Sequence, residues 1–170
     1  MKEYERKFII LEPEKVWNML QDTKSVEYER YFLYIGEDGQ VRAQRKGDKY
    51  TIESIFGNYR KKVKITEDAF AQLTRNCDKV IKRSSYQLSD EIKLKVYKEQ
   101  YKGLFIVDIE FPDKEAYYTC KKPHWIGPEI TSTKLGTDGK IIQLSPEEVF
   151  NYINNLKKSD KSKDSQELLK

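Results

Sequence analysis

Residues 2–8, Lys2-Glu3-Tyr4-Glu5-Arg6-Lys7-Phe8, follow the two-residue period of a β-strand. As a strand, this stretch places Glu3, Glu5 and Lys7 on one face and the two aromatic side chains on the other. Two carboxylates and an ammonium are costly to bury unless they hold a charged ligand, and a divalent cation beside a phosphate suits them. An exposed strand face gives the same pattern, so later strands must decide between the two interpretations.

The composition fits one globular domain. The 170 residues suffice for a single hydrophobic core, and no stretch rich in Pro, Gly or Ser divides them. The sequence contains neither an apolar run that could cross a membrane nor a signal peptide, so we expect a cytoplasmic protein without a membrane partner. Cys77 and Cys120 have no Cys or His at metal-ligand spacing, which predicts free thiols.

The charge is too evenly balanced to indicate a nucleic-acid partner. Charged residues make up 35% of the chain, yet the net charge is only +4. Residues 157–170 contain five lysines, two aspartates and one glutamate, with almost no apolar content before Leu168. We therefore predict a domain of residues 1–156 followed by a flexible charged tail of residues 157–170.

Strand periodicity recurs along most of the chain. Alternating segments cover residues 2–9, 27–35, 40–46, 49–55, 59–65, 79–88, 91–98 and 103–111. Helical spacing covers residues 13–22, 67–77, 113–121 and 146–157. Short consecutive strands joined by tight turns predict an antiparallel meander, and eight of them can close into a barrel.

Most of the predicted strands carry one apolar and one charged face. The apolar faces comprise Val41 and Ala43, Tyr50 and Ile52, Val63 and Ile65, Ile92, Leu94 and Val96, and Val107, Ile109 and Phe111. The opposite faces comprise Arg42 and Gln44, Thr51 and Glu53, Arg60, Lys62 and Lys64, Lys93 and Lys95, and Asp108 and Glu110.

An ordinary barrel with an apolar interior fits these faces but leaves the amphipathic helices with nothing to pack on. In the inverted arrangement, the charged faces line the interior and the apolar faces point outward, where the helices pack on them. We therefore predict an α+β fold, an eight-stranded antiparallel closed β-barrel or tunnel with a charged interior and with helices on its apolar outside.

Three stretches resemble the CYTH domain, or triphosphate tunnel metalloenzyme family. Glu3-Tyr4-Glu5-Arg6-Lys7 matches the family signature ExExK, and residues 123–131, PHWIGPEIT, match its P-x-W-[LI]-G-x-E-[VI]-T segment. Residues 103–111, GLFIVDIEF, resemble its GL-x-x-A-E-x-E-F strand. The family includes thiamine triphosphatases, inorganic tripolyphosphatases and class IV adenylyl cyclases, and its fold is an eight-stranded tunnel with a charged interior.

The resemblance implies a site in which acids hold Mg²⁺ or Mn²⁺ and cations grip a linear triphosphate. It implies catalytic acids at Glu3, Glu5 and Glu110, metal ligands at Glu3, Glu5, Asp108 and Glu110, and phosphate ligands at Lys7, Arg42, Arg60 and Arg83. Tyr86 matches the Tyr of a family KxRY motif. The metal would polarise the phosphoryl group and activate water.

The lining also departs from the family pattern. Gln44 replaces the second Arg of an RxR pair, although a bulge could redirect the adjacent Arg45 inward. Ser85 replaces an Arg, and Asp108 an equivalent Glu. Glu53 replaces a Lys, whereas Lys62, Lys64 and Lys95 replace acids. We predict that Lys62 and Lys95 join the substrate ligands, and that Glu53 forms cross-strand ion pairs with Lys62 and Lys64.

Two functions follow from these features. A divalent-metal-dependent phosphohydrolase would act on an inorganic, nucleoside or thiamine triphosphate, using the retained acids. A binding module would hold polyphosphate or nucleotide without turnover, because an ammonium in a ligand position repels a cation. Adenylyl cyclase activity is a weaker candidate, because the sequence has no feature that would recognise a nucleotide base. RNA binding would use Tyr28, Tyr31 and Tyr34 as stacking platforms, a role that strand aromatic residues take less often than packing.

Four further residues receive structural interpretations beside functional ones. His124 is predicted to be structural or exposed, and Trp17 to be the core contact of the first helix. Glu129 and Thr131 fall on the family segment, where a structural hydrogen-bonding role is as well supported as a functional one.

Overall fold

One antiparallel sheet of eight strands organises the computed structural model, which describes residues 4–168, with side chains through residue 161. The strands are β1 Glu5–Ile9, β2 Ser25–Gly36, β3 Gly39–Lys46, β4 Lys49–Phe56, β5 Tyr59–Lys64, β6 Val80–Gln87, β7 Ile92–Tyr97 and β8 Phe105–Glu110. Each of the eight predicted strands is confirmed, with bounds that differ by at most three residues. Short α-helices and 3₁₀ turns lie between and after the strands.

The strands are ordered β1-β8-β7-β6-β2-β3-β4-β5, so β1 and β5 form the two edges of the sheet. Within the described part of the chain, no backbone pairing joins β1 to β5. The antiparallel α+β architecture is thus confirmed, whereas closure of the sheet into a barrel stays a prediction.

The helices are α1 Pro13–Trp17, α2 Glu67–Thr74, α3 Lys114–Tyr118, α4 Asp138–Ile141 and α5 Pro146–Leu168, and 3₁₀ turns cover Asn18–Leu20 and Glu99–Tyr101. The N-terminus of α5 is a capping box in which the Ser145 hydroxyl accepts from the Glu148 amide and the Glu148 carboxylate accepts from the Ser145 amide. This helix continues eleven residues beyond its predicted end, and α4 has no counterpart in the sequence prediction. None of the described helices is long and apolar enough to span a membrane.

Part of the outer face of the sheet is apolar and lies beneath helices, as the inverted arrangement predicts. Leu94 and Val107 are fully buried in a cluster with Val16 of α1 and with Leu20. On the neighbouring strands, Phe70 of α2 packs against the rings of Tyr31 and Tyr50, with centroids 5.4 and 5.0 Å away. The prediction for Trp17 is wrong: this residue is 52% exposed, because the helix turns Val16 inward instead.

The opposite face, called the inner face below, is divided into a charged half and an apolar half. Along single strands, charged residues alternate at a spacing of two with buried apolar ones: Lys7 with Ile9, Arg30 with Phe32, Arg83 with Ile81, and Asp108 with Ile106. The apolar members pack against Leu135, Ile141, Val149 and Ile153, which come from α4, α5 and the loop before them. The sequence prediction treated the interior as charged; the structure shows that α4 and α5 cover one half of it with hydrocarbon.

We expect Leu104→Ala to lower the free energy of unfolding by about 2–5 kcal/mol, because Leu104 is fully buried in the cluster under α4 and α5. The matched control is Leu73→Ala on α2, where the side chain is 44% exposed and the change should stay within about 0.5 kcal/mol. Urea unfolding followed by circular dichroism measures both. Equal losses in the two variants would contradict this assignment of the core.

Candidate functional site

The structure gathers most of the predicted site residues on the charged half of the inner face. Arg42, Arg83 and Lys95 are buried there, with 5–6% of each residue exposed. Four more are half-buried, namely Glu5, Lys7, Asp108 and Glu110. Arg60 and Lys62 lie on the edge strand β5, every residue of which is exposed. Glu3 lies outside the described residues.

Arg42, Glu53 and Arg60 form the first charged cluster. Arg42 and Glu53 face each other across β3 and β4, with Nη2 3.0 Å from Oε2, and Arg60 Nε donates to the other carboxylate oxygen. Burial alone would raise the pKa of Glu53, but the bonds and charges of the two arginines outweigh it and lower that pKa. The Nε of Arg42 is buried without a hydrogen-bond partner, which leaves a charged donor for a ligand.

The ion pairs predicted for Glu53 with Lys62 and Lys64 are therefore wrong. Lys62 does lie opposite Glu53 on β5, and Lys64 opposite Thr51. The ion-pair partner from β5 is Arg60, two positions from Lys62, because its longer side chain reaches diagonally to the carboxylate. In the described part of the chain, neither lysine forms an ion pair with Glu53.

The second cluster centres on Asp138, a residue that the sequence analysis missed. Its Oδ2 accepts from Arg30 Nη1 at 3.1 Å and from Arg83 Nε at 3.2 Å, and its Oδ1 accepts from the Tyr97 hydroxyl at 2.5 Å. Burial alone would raise the pKa of Asp138, but Arg83, Arg30 and Lys95 hold it well below its usual range. Asp138 is thus a carboxylate anion buried among cations.

Lys95 and Asp108 form a third contact, with Nζ 3.1 Å from Oδ2. Burial lowers the pKa of Lys95 to about 8, despite the opposing effect of the nearby carboxylate. The other oxygen of Asp108 is buried without a hydrogen-bond partner. In the strand register Asp108 also lies opposite Lys7 on one side and Lys93 on the other, so lysines surround it.

Glu5 and Glu110 lie directly opposite each other on β1 and β8. Lys7 contacts Glu5 at 3.7 Å and donates to the carbonyl of Gly136 at 2.8 Å. Within residues 4–168, no group of three or more His, Cys, Asp or Glu side chains is placed to hold a metal ion. Of the predicted metal ligands, Glu5 and Glu110 are the two that lie directly opposite each other in the strand register.

The predicted replacements lie on the inner face of the sheet. Gln44 lies on the inner face, where its side-chain oxygen accepts from Arg30 Nε at 2.6 Å, and Ser85 accepts from Arg83 at 2.7 Å. Arg45 points outward and pairs with Glu29 at 2.8 Å, so the prediction that a bulge redirects it inward is wrong. Arg30 takes the place in the site that was proposed for Arg45.

Hydrogen bonds hold the segment of residues 123–131 against β1. Glu129 accepts from Arg6 at 2.9 and 2.6 Å and from Thr131 at 2.7 Å, and the Lys7 amide donates to the Thr131 hydroxyl at 2.9 Å. His124 is exposed, as expected. These contacts support the structural interpretation of Glu129 and Thr131.

The tyrosines that were considered as base-stacking platforms contact groups of the protein itself. Tyr28 is buried beneath Arg83, whose guanidinium carbon lies 4.2 Å from the ring centroid. Tyr31 packs edge-on against Phe70, and Tyr34 stacks on Phe56. The packing role, rather than RNA binding, is the one that these contacts favour.

The comparisons with known proteins identify the fold. No family model and no curated protein matches the sequence. Two solved structures of NE1496, one described as an inorganic triphosphatase and one as a hypothetical protein, match with TM-scores of 0.68 and 0.67 at 19% identity. The matches cover 85% and 84% of this chain, and 99% and 98% of the respective NE1496 chains. The chain therefore shares the fold of NE1496, in agreement with the fold that its motifs indicated.

We expect Glu53→Gln to lower the free energy of unfolding by about 3–5 kcal/mol at pH 7, because it leaves buried Arg42 without a carboxylate. The control is Glu29→Gln, which removes an outward-facing carboxylate that pairs with Arg45 and Lys82 and should cost less than about 1 kcal/mol. Urea unfolding of the three proteins measures both changes.

Wild type and Glu53→Gln also allow a test of how stability depends on pH. Because the folded-state pKa of Glu53 is lowered, its contribution is fully present above the ordinary carboxyl pKa of about 4.3 and is lost as the pH falls through the lower folded-state value. The difference between wild type and Glu53→Gln should therefore shrink below about pH 4. A difference that stays constant down to pH 2 would contradict the lowered pKa.

Proposed function

We propose that this protein binds a linear triphosphate on the charged half of the inner face and hydrolyses it with the help of a divalent cation. One observation carries the proposal: four arginine side chains share only two carboxylates, Asp138 and Glu53. Each of these clusters keeps a net positive charge, and its buried members Arg42 and Arg83 lie where water screens charge poorly. A polyanion that enters this space would supply the missing negative charge.

The predicted phosphate ligands would act from several strands. Arg42 offers its buried Nε, and Arg60 and Lys62 extend from the exposed strand β5. Lys7 comes from β1, the other edge of the sheet. A triphosphate held by both edges would draw β1 and β5 together, so closure into a tunnel is part of this proposal.

Glu5 and Glu110 fit a single Mg²⁺ or Mn²⁺ ion. The two carboxylate residues lie directly opposite each other across β1 and β8, and carboxylate oxygens are the ligands that these ions prefer. Glu3 would add a third oxygen donor two positions along the chain. A bound divalent cation would polarise the phosphoryl group under attack. The arginines would orient the chain of phosphates and offset its charge during the reaction.

A second candidate function is triphosphate binding without turnover. The observation that favours it is the contact of Lys95 with Asp108 at 3.1 Å. Asp108 is a predicted metal ligand, yet an ammonium already neutralises it and two more lysines lie opposite it in the register. On this proposal, Lys95 supplies internally the positive charge that a metal ion would otherwise bring.

We expect metal-dependent release of phosphate from tripolyphosphate, ATP or thiamine triphosphate, and we expect Glu5→Gln/Glu110→Gln to reduce that release to background because it removes the facing carboxylates. Malachite green detection with Mg²⁺ or Mn²⁺ measures the release. The control is Glu37→Gln/Glu115→Gln, which removes two exposed carboxylates elsewhere and should leave the rate unchanged. Tripolyphosphate binding without release from any substrate would support the second candidate and exclude the first.

We expect Arg42→Gln to weaken tripolyphosphate binding by about 10- to 100-fold, as the loss of one charge-assisted contact would. Arg45→Gln is the matched control on the same strand, because its side chain faces outward toward Glu29, and its affinity should equal that of wild type. Isothermal titration calorimetry without metal measures both. Equal effects of the two substitutions would place the phosphates somewhere other than the inner face.

A further inference from the structure

We infer that Asp138 is a fixed internal anion that competes with bound phosphate for Arg30 and Arg83, and that it thereby weakens the affinity of the inner face for polyphosphate. The inference rests on the proposed function, since it concerns the same site. It assigns to Asp138 a role in setting affinity, in addition to its part in the folded structure.

The geometry makes Asp138 an occupant of an anion site. Its side chain is only 1% exposed, and three donors from β2, β6 and β7 converge on it: Arg30, Arg83 and Tyr97. Two guanidinium groups and a hydroxyl around one anionic group are the donors expected of a phosphate subsite. Here the oxygen atoms that fill the subsite belong to the protein.

Residues that precede and follow Asp138 in the sequence hold its carboxylate in place. Leu135 and Ile141 flank it and are fully buried in the apolar half of the inner face. Thr137 caps the first turn of α4 by accepting from the Lys140 amide, and the Tyr101 hydroxyl donates to the carbonyl of Ile141. Withdrawal of Asp138 would expose these apolar side chains, so Asp138 acts as a permanent competitor and not as a movable gate.

The competition follows from charge. Arg83 is a predicted phosphate ligand, and Asp138 already accepts from its Nε. Asp138 also accepts from Arg30, so its negative charge lies between two of the cations that a phosphate would approach. A phosphate that approaches these cations is therefore repelled by a carboxylate that water does not screen. The repulsion grows with the charge of the ligand, so it should be larger for tripolyphosphate than for orthophosphate.

The test is Asp138→Asn, which removes the charge and keeps the shape of the side chain. We expect its affinity for sodium tripolyphosphate, measured by isothermal titration calorimetry, to be at least about tenfold higher than that of wild type, with a smaller gain for orthophosphate. The control is Glu29→Gln, which removes a carboxylate that pairs with the two cations Arg45 and Lys82 on the outer face. Its affinity should stay within about twofold of wild type.

The outcomes separate this inference from the proposed function. If wild type binds tripolyphosphate and Asp138→Asn binds it equally or more weakly, the inference is overturned and the proposed function stands. If only Asp138→Asn binds, the inference is supported and triphosphate binding by the natural protein is overturned. If neither protein binds, both are overturned.

If Asp138→Asn does not fold, the inference can be tested by adding anions to the variant. The substitution leaves two buried arginines without their shared carboxylate, so an added anion would stabilise the folded variant. We expect tripolyphosphate or sulfate to restore its circular dichroism spectrum, because the anion would take the place of the carboxylate. A variant that stays unfolded at 10 mM of either anion (roughly 100 times a 0.1 mM Kd) would overturn the inference.

Discussion

A guanidinium group that is removed from water must meet a carboxylate, and this requirement organises the inner face of the sheet. Arg42 is satisfied by Glu53 on the neighbouring strand, whereas Arg30 and Arg83 share Asp138, which arrives from a helix outside the sheet. The chain thus brings a separate segment, α4, to complete the sheet. The position of that segment in turn fixes which part of the inner face stays charged and which part is covered by hydrocarbon.

The strands could be predicted because a period of two is a local property of the sequence. The partners within the site could not, since they depend on side-chain reach and on distant segments. Glu53 illustrates the first limit: Lys62 lies directly opposite it, but Arg60 reaches its carboxylate diagonally while Lys62 does not. Asp138 illustrates the second, because the stretch before α5 has no periodicity and is placed only by the burial of Leu135 and Ile141.

Arg30 shows a third limit, which arises within a correctly predicted strand. In β2 both alternating sets contain large aromatic side chains and charged ones, so the pattern does not say which set faces inward. Tertiary contacts decide it, because Arg30 bonds Gln44 and Asp138 whereas Glu29 pairs with Arg45 on the outside. The motif at the start of the chain correctly indicated the fold but carried no information about this strand.

Two apolar clusters hold the sheet, one beneath α1 and one beneath α4 and α5, and neither contains any of the charged groups that line the site. Most of the side chains in the two apolar clusters are thus distinct from the charged side chains that line the inner face. During evolution the lining can exchange acids for bases, provided that each buried charge keeps a partner, while the scaffold persists. Sequence similarity would then fade first where activity is encoded, and shape would outlast it as evidence of ancestry.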